Sequence, residues 1–186
     1  KCIEHEAYYK AAEYAHKISP SAEAATGLGN MSYVKGDYNK AIEYYQEAIN
    51  LSTEDLDISD NLFRIAQVYY KKGEYTNVRK YCKESLAKNP AQGQPHIMLG
   101  LVYAQAKISD DPTLQKAVYW ASVDQFAKAK SVEPTEDMVE QANKLIRTYS
   151  AYFPSKEEVF MHPDVEEGKS HYVGGWVSET TTVRSK

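Results

Sequence analysis

Small and apolar residues recur at helical spacing in two neighbouring segments near the start of the chain. They are Ala25, Leu28, Gly29 and Ser32 in the first segment, and Ala41, Tyr45 and Ala48 in the second. Spacings of three and four residues place each set on one face of a helix. Gly36 and Asp37, which lie between the segments, are typical turn residues. The pattern predicts two amphipathic helices joined by a tight turn, with small residues where the helices approach closely.

The same arrangement returns further along the chain. Its positions are Leu62, Ile65, Ala66, Tyr69, Gly73, Val78, Cys82, Ser85 and Pro90. Gly29 is 24 residues before Thr53, and Ala66 is likewise 24 residues before Pro90, which indicates a repeated unit. The period from Gly29 to Ala66 is 37 residues, because three residues are inserted at positions 56–58.

A third unit follows the same plan with a longer connection. It opens with His96, Leu99, Gly100 and Tyr103 and closes with Phe126, Ala129 and Pro134. Gly100 lies 34 residues before Pro134, so ten residues are inserted near the turn. Asp111 and Pro112 suit the N-cap and the first position of a helix. We therefore expect one helix over residues 112–132, about 30 Å long, that projects beyond its neighbours.

Residues 22–53 resemble the tetratricopeptide repeat, a helix-turn-helix unit of about 34 residues with the pattern W-x2-L-G-x2-Y…A-x3-F…P. In this chain Ala25 stands at the Trp position and Ser32 at the first Tyr position. Tyr45 takes the Phe position, and Thr53 stands where Pro is usual. The resemblance is therefore close in layout and partial in residue identity.

The resemblance implies an all-α fold, a right-handed superhelical array of helix-turn-helix repeats. Residues 1–153 would hold about three and a half repeats and a capping helix over 135–153. Residues 1–18 would be the second helix of an earlier repeat, which suggests that the chain is part of a longer protein. The packed face of that helix would carry Tyr8, Ala11, Ala12 and Ala15.

Residues 154–186 differ in character and are predicted to form an irregular, partly extended tail. Ser155 and Glu158 have the spacing of a capping box ahead of a short helix. Residues 172–177, with two central glycines, are typical of a hairpin with a Gly-Gly turn. Such a segment is too apolar for a solvated linker, so we expect it to dock on its own helices or on a second copy. Trp176 would be the anchor.

Composition and charge exclude several functions. The net charge is −4 and the cations are scattered, so no nucleic-acid surface is expected. A membrane span is not expected either, since no long apolar run is present. His162 and His171 flank acidic residues, but their spacing fits no closed zinc site. Nucleophile elbows and phosphate loops are absent from the sequence. We therefore predict a protein that is not an enzyme and has no metal or cofactor.

The family resemblance also implies a binding groove, because the first helix of each repeat lines the concave surface. The implied positions are Glu23, Thr26, Asn30 and Tyr33, then Asp60, Phe63, Gln67 and Tyr70, then Gln94, Ile97, Leu101 and Ala104. The candidate ligand-binding residues among them are Asn30, Tyr33, Phe63, Gln67, Tyr70, Ile97 and Leu101. An apolar patch beside amide groups suits an extended peptide or a partner helix. Alternatively, Phe63, Ile97 and Leu101 belong to the core.

One known function of the family does not fit these residues. Chaperone-binding members hold a terminal carboxylate with lysine, arginine and asparagine side chains. The corresponding positions here are Thr26, Asn30, Arg64, Gln94 and Met98, and only Asn30 matches. Without the cations a carboxylate has no charge-assisted hydrogen bonds, so we reject this clamp.

The sequence thus predicts a protein-interaction module that binds a peptide or helix, with its own tail or a second copy among the candidate partners. A structural segment of a larger assembly protein is an alternative of the same kind. A carbohydrate-binding surface is an alternative of a different class. It would use four aromatic side chains, Tyr119, Trp120, Tyr172 and Trp176.

Overall fold

The computed structural model describes the backbone of residues 2–186 and the side chains of residues 7–186. The helices are α1 (Cys2–Ile18), α2 (Ala22–Lys35), α3 (Tyr38–Leu51), α4 (Asp55–Lys72), α5 (Tyr75–Lys88), α6 (Gln94–Tyr103), α7 (Pro112–Gln115), α8 (Ala117–Val132), α9 (Glu136–Ser150) and α10 (Lys156–Met161). Two strands follow, β1 (Ser170–Val173) and β2 (Glu179–Thr182). The predicted helical repeats with a partly extended tail are confirmed. Within the described residues, no helix is both long and apolar enough to cross a membrane.

The chain forms two compact units, unit 1 up to Pro90 and unit 2 from Ala91 onward. Unit 1 contains the helix pairs α2–α3 and α4–α5, and unit 2 contains α6 to α10 and the two strands. The boundary predicted at residue 153, between array and tail, stays a prediction. The compactness of the units does not test where the repeats end.

Local signals delimit the helices of unit 1. The Ser21 hydroxyl accepts a hydrogen bond from the Ala24 amide at 3.1 Å and so caps α2. Gly36 ends α2 in the left-handed conformation, with φ of 81°, which a glycine adopts without steric cost. Gly73 ends α4 in the same way, with φ of 74°. The residues inserted at 56–58 extend α4 at its N-terminal end instead of forming a loop.

The core of unit 1 depends on a close approach between α2 and α3. A methyl group at Gly29 would lie 2.5 Å from Cε1 of the Tyr45 ring, so only glycine leaves room for that ring. Tyr45 then joins Ala41, Ile65 and Val68 in one buried cluster. The predicted small-residue positions of both pairs are therefore confirmed as packing positions.

The face predicted for α1 is wrong by one residue. Tyr8 is 77% exposed, whereas Tyr9 and His16 are buried. The Tyr9 hydroxyl is 2.9 Å from the Ser32 hydroxyl on α2, which draws Tyr9 inward. Because one residue turns a helix by about 100°, this contact leaves the predicted residues Ala11 and Ala15 exposed.

The single long helix predicted over residues 112–132 is also wrong, because it is broken at Lys116 into α7 and α8. The Gln115 side chain accepts hydrogen bonds from the amides of Ile108 and Ser109 at 3.0 and 3.1 Å. It also donates to the carbonyl oxygen of Ala106 at 2.8 Å. These bonds fold the inserted residues back onto the helix start. The first turn of α8 is covered, since Ala117, Val118 and Trp120 are fully buried.

The remaining helices follow the sequence signals. In α9 the apolar face that begins at Met138 points into the core, with Met138 and Ala142 buried. The capping box predicted before α10 is present. The Ser155 amide donates to the Glu158 carboxylate at 2.7 Å, and the Glu158 amide donates to the Ser155 hydroxyl at 3.2 Å.

The tail packs on α8 and on the C-terminal end of α6. Strands β1 and β2 are antiparallel, and the loop between them has five residues, 174–178, not the predicted two-residue Gly-Gly turn. Val173 and Val177 are fully buried, whereas Trp176 is only half-buried, 6.0 Å from the Tyr103 ring. The buried valines therefore anchor the tail in place of the predicted Trp176.

Candidate functional site

A polar cleft of about 570 Å³ lies between α2 and α4 in unit 1. Its lining residues are Ala22, Glu23, Thr26, Gly27, Asn30, Asp57, Asp60, Asn61 and Arg64. The carboxylates of Glu23, Asp57 and Asp60 outnumber the Arg64 guanidinium, which gives the lining a net charge of −2 (three negative, one positive). The first helices of two successive repeats form its walls, so the cleft lies where the family resemblance places a groove.

Asn30 lines this cleft and is held in place by two donors. Its Oδ1 accepts one hydrogen bond from the Tyr45 hydroxyl at 2.9 Å and another from Nη1 of Arg64 at 3.0 Å. Burial raises the pKa of Tyr45 to about 12, although the nearby Arg64 charge acts in the opposite direction. The Tyr45 hydroxyl is thus protonated at neutral pH. Because both partners are donors, the assigned orientation leaves the Asn30 amide hydrogens for a ligand.

A further hydrogen bond joins the two walls, and another within α4 orients its acceptor. The Thr26 hydroxyl on α2 donates to Oδ1 of Asn61 on α4 at 3.0 Å. The Asn61 amide group in turn donates to the carbonyl oxygen of Asp57 at 2.9 Å. These bonds hold the helices at a set separation, so the cleft is formed before any ligand arrives.

The other candidate residues of unit 1 lie beyond the cleft lining. Phe63 and Gln67 on α4 are half-buried, and Tyr70 is 38% exposed with its ring 6.1 Å from that of Tyr75. Tyr33 is half-buried and packs against the core cluster of unit 1. Tyr70 is the most accessible of the four.

The two candidates from the third repeat belong to unit 2. Ile97 is 3% exposed and is therefore a core residue, as the alternative interpretation of the sequence held. Leu101 is half-buried on the same helix, α6. A buried isoleucine cannot contact a ligand without rearrangement of the helices around it.

Arg64, Asp57 and Asn61 line the cleft, although the groove prediction does not include them. The sequence assigns Arg64 only as a mismatch to the carboxylate clamp. Its position was nevertheless informative, because the clamp places a ligand-contacting asparagine at the same point of the second repeat. The contact between Arg64 and Asn30 spans 34 residues, about one repeat period.

The histidines and the cysteine that the structure describes do not form a metal-binding cluster. In residues 7–186, no three His, Cys, Asp or Glu side chains are grouped as a metal ion requires. His162 lies 3.4 Å from the Asp111 carboxylate, and the His171 ring packs edge-on against Trp120. Cys82 is buried, and burial raises the pKa of its thiol, which keeps the sulfur protonated and unreactive.

The four aromatic side chains of the carbohydrate-binding alternative do not form the surface that this alternative requires. Trp120 is fully buried, so its ring cannot stack on a sugar. The Tyr119 ring stacks on Tyr152 with centroids 5.1 Å apart. Tyr172 is exposed, but Trp176 lies against Tyr103. The four aromatic side chains therefore do not form one open platform.

A profile of the tetratricopeptide repeat matches residues 22–55, which hold α2, α3 and the start of the next pair. This segment is a tetratricopeptide repeat. The pairs α2–α3 and α4–α5 have the helix-turn-helix form of this family, and α6–α8 is an expanded version with the extra turn α7.

Comparison with known proteins agrees with this assignment. The photosystem I assembly protein Ycf3 of Prochlorococcus marinus strain NATL1A is 32% identical over 68 residues, which are 37% of this chain and 39% of Ycf3. The matched segment thus spans about two fifths of the relative's length.

Two solved structures have a similar fold. The TPR2B domain of yeast Sti1, solved in a complex named for pHsp70, superposes with a TM-score of 0.56 at 17% identity, covering 70% of this chain and 96% of that one. MamA superposes with a TM-score of 0.57 at 18% identity, covering 80% of this chain and 84% of MamA. At such identities the likeness shows the fold alone.

Proposed function

We propose that this chain is a non-enzymatic protein-interaction module that binds an extended peptide segment of a partner in a groove along its first helices. The observation that carries the proposal is the preformed cleft between α2 and α4. In its lining, Asn30 is held by hydrogen bonds from Arg64 and Tyr45, and its amide hydrogens are available. A peptide backbone presents carbonyl oxygens at regular intervals, and the Asn30 amide is a suitable donor for one of them.

The charges of the cleft indicate which peptides bind. Glu23, Asp57 and Asp60 line the cleft together with one guanidinium, so the cleft attracts lysine or arginine side chains and disfavours a terminal carboxylate. Beyond the cleft, Phe63 and Tyr70 on α4 provide aromatic surface for an apolar side chain of the same peptide. The proposed contact residues are Asn30, Tyr33, Phe63, Gln67 and Tyr70, all of unit 1. Leu101 is omitted because it belongs to unit 2. Ile97 is omitted because it is buried.

The comparisons support partner binding without identifying the partner. The Sti1 domain was solved in a complex, and Ycf3 is named as an assembly protein. The likeness to Ycf3 favours a second, more specific proposal: the chain holds a subunit of a larger complex during its assembly. Both proposals use the same chemistry, a groove that grips an unfolded or extended segment of another protein.

A selection from a phage-displayed peptide library, followed by calorimetric titration of the selected peptides, tests the proposal. We expect the selected peptides to be cationic. The double variant Glu23→Lys, Asp57→Lys should weaken their binding about tenfold or more, because it reverses two exposed charges of the cleft. Glu43→Lys, an exposed site on α3 outside the cleft lining, is the control. Equal affinity for the cleft variant and the control would refute the groove.

A further inference from the structure

A second cleft, of about 880 Å³, lies in unit 2 and is formed by the C-terminal tail. Its lining residues are Lys156, Glu157, Val159, Phe160, Val165, Glu166, Glu167 and Ser185. They come from α10, from the segment before β1 and from the segment after β2. None of them belongs to the helix pairs that carry the proposed groove, so this cleft is a separate feature.

Backbone hydrogen bonds hold the walls of this cleft in place. The Gly168 amide donates to the carbonyl oxygen of Val183 at 3.0 Å, and the Val183 amide donates to that of Lys169 at 2.9 Å. The Ser185 amide donates to the Glu167 carboxylate at 3.2 Å. On the other side, α10 begins at its capping box. The cleft is therefore preformed, and a ligand does not have to order it.

The floor of the cleft is apolar, and so is part of its rim. Val159 and Val165 are 4% and 8% exposed, and their side chains line the cleft. Phe160 follows Val159 on α10 and is 87% exposed. An apolar floor next to an exposed aromatic ring is characteristic of a surface that becomes covered when a partner binds.

Charged groups around the floor select the kind of partner. The lining carries three carboxylates, Glu157, Glu166 and Glu167, and one ammonium group, Lys156, which gives a net charge of −2. Lys169 lies 3.9 Å from Glu166, a distance at which an exposed pair contributes little. A negative rim repels anionic lipid headgroups and nucleic-acid phosphates. It attracts a segment whose apolar side chain is flanked by cations.

We propose that this tail cleft is a second docking site, which takes a peptide segment of a partner protein with an aliphatic or aromatic side chain between lysine or arginine residues. The apolar side chain lies on Val159 and Val165 against Phe160, and the flanking cations meet the glutamates.

The test uses the whole chain with valine and threonine methyl groups isotopically labelled for NMR. The probe is a short synthetic peptide of alternating leucine and lysine pairs, amidated at its C-terminus. A matched peptide carries glutamate at every lysine position. Val159 and Val165 report on the tail cleft, and Thr26 reports on the α2–α4 cleft, so the two proposals are read separately. Phe160→Ser is the test variant. Met161→Ser is its control, because Met161 is 78% exposed but does not line the cleft.

We expect the cationic peptide to shift the Val159 and Val165 signals at concentrations where the glutamate peptide does not. Phe160→Ser should weaken this binding at least about fivefold, and Met161→Ser should leave it within about twofold. Shifts confined to Thr26 would overturn the tail site and leave the groove standing. Unchanged spectra, equal binding of both peptides, or equal effects of the two variants would also overturn it.

Discussion

The indole Nε1 of Trp120 donates a hydrogen bond to the carbonyl oxygen of Arg184 at 2.8 Å, and Nη2 of Arg184 donates back to the carbonyl oxygen of Trp120 at 2.8 Å. Trp120 lies on α8 and is fully buried, while Arg184 follows β2. The pair joins positions 64 residues apart. The tail is thus part of the structure that covers the core of unit 2, and its loss would expose the largest side chain of that core.

Asp124 on α8 adds a second link to the tail and gives the first prediction. Its carboxylate is 2.8 Å from Nη2 of Arg184 and accepts a hydrogen bond from the Thr181 hydroxyl at 2.5 Å. Asp124→Ala should lower the free energy of unfolding by about 1–2 kcal/mol, because it leaves two donors without their partner. Urea denaturation measures the loss, and hydrogen exchange at Val173 and Val183 shows whether the tail loosens.

Asp110→Ala is the control for this variant. Asp110 pairs with Lys107 at 3.0 Å on the fully exposed surface, and such pairs contribute almost nothing to stability. Equal stability of the two variants, or unchanged exchange in the tail of the Asp124 variant, would contradict the prediction.

Three glycines of the repeat helices give the second prediction. A methyl group at Gly29 would meet the Tyr45 ring, and one at Gly100 would meet the Phe126 ring, whereas one at Gly27 would meet nothing within 4 Å. Gly29→Ala and Gly100→Ala should each destabilise the protein by about 1–3 kcal/mol through overpacking. Gly27→Ala should stabilise it by up to about 1 kcal/mol, since alanine has the higher helix propensity. Thermal melts of the three variants measure these changes. A change in melting temperature of the same sign in all three would contradict the packing role of Gly29 and Gly100.

The repeated helix pairs were predictable because their signals are local. The spacing of small residues before Gly36 and the matching distance in the second repeat depend only on helical periodicity and turn chemistry. The face of α1 was not predictable, because alanines lie on several sides of that helix and the Tyr9 contact to Ser32 decides its rotation. The role of Asn30 in ligand binding stays a prediction, although Asn30 lines the cleft. Its hydrogen-bond partner Arg64 lies one repeat away, and no local pattern in the sequence connects the two.

The break between α7 and α8 shows why the longer connection was misjudged, and it gives the third prediction. Gln115 folds back the inserted residues through three hydrogen bonds to backbone groups at 106, 108 and 109. The helical propensity of residues 112–132 does not indicate hydrogen bonds of this kind. Gln115→Ala should destabilise the chain by about 2–3 kcal/mol. It should also speed exchange of the Ile108 and Ser109 amides. Gln105→Ala, at an exposed position, is the control, and equal exchange at Ile108 in both variants would be evidence against this role.

Two histidines of unit 2 give the fourth prediction. Burial lowers the pKa of His96 and of His171. Smaller effects act on both. For His96, the hydrogen bond to Gln125 raises the pKa and the Lys128 charge lowers it. For His171, the His162 charge lowers the pKa and the Asp164 charge raises it. The folded state therefore resists protonation. The two neutral histidines contribute fully to the free energy of unfolding above the unfolded pKa of about 6.5. This contribution is lost as the pH falls through the pKa values of the folded state.

We accordingly expect the urea midpoint to fall as the pH is lowered from about 7.5 to 5. The double variant His96→Gln, His171→Gln should show a shallower decrease over the same range. An identical pH dependence of the variant and the natural chain would exclude these two histidines as its source.

The final prediction separates the groove from the core by comparing Tyr70 with Ile97. Tyr70 is 38% exposed and Ile97 is 3% exposed, although the family resemblance assigns both to the ligand-binding surface. Tyr70→Ala should leave the melting temperature nearly unchanged and should weaken a groove-binding peptide about tenfold or more. Ile97→Ala should cost about 2–5 kcal/mol of stability, because it leaves a cavity in unit 2. Peptide titration and thermal melts on both variants provide the two readouts. If Tyr70→Ala destabilises the fold as much as Ile97→Ala does, Tyr70 is a core residue and the aromatic part of the proposed groove is removed.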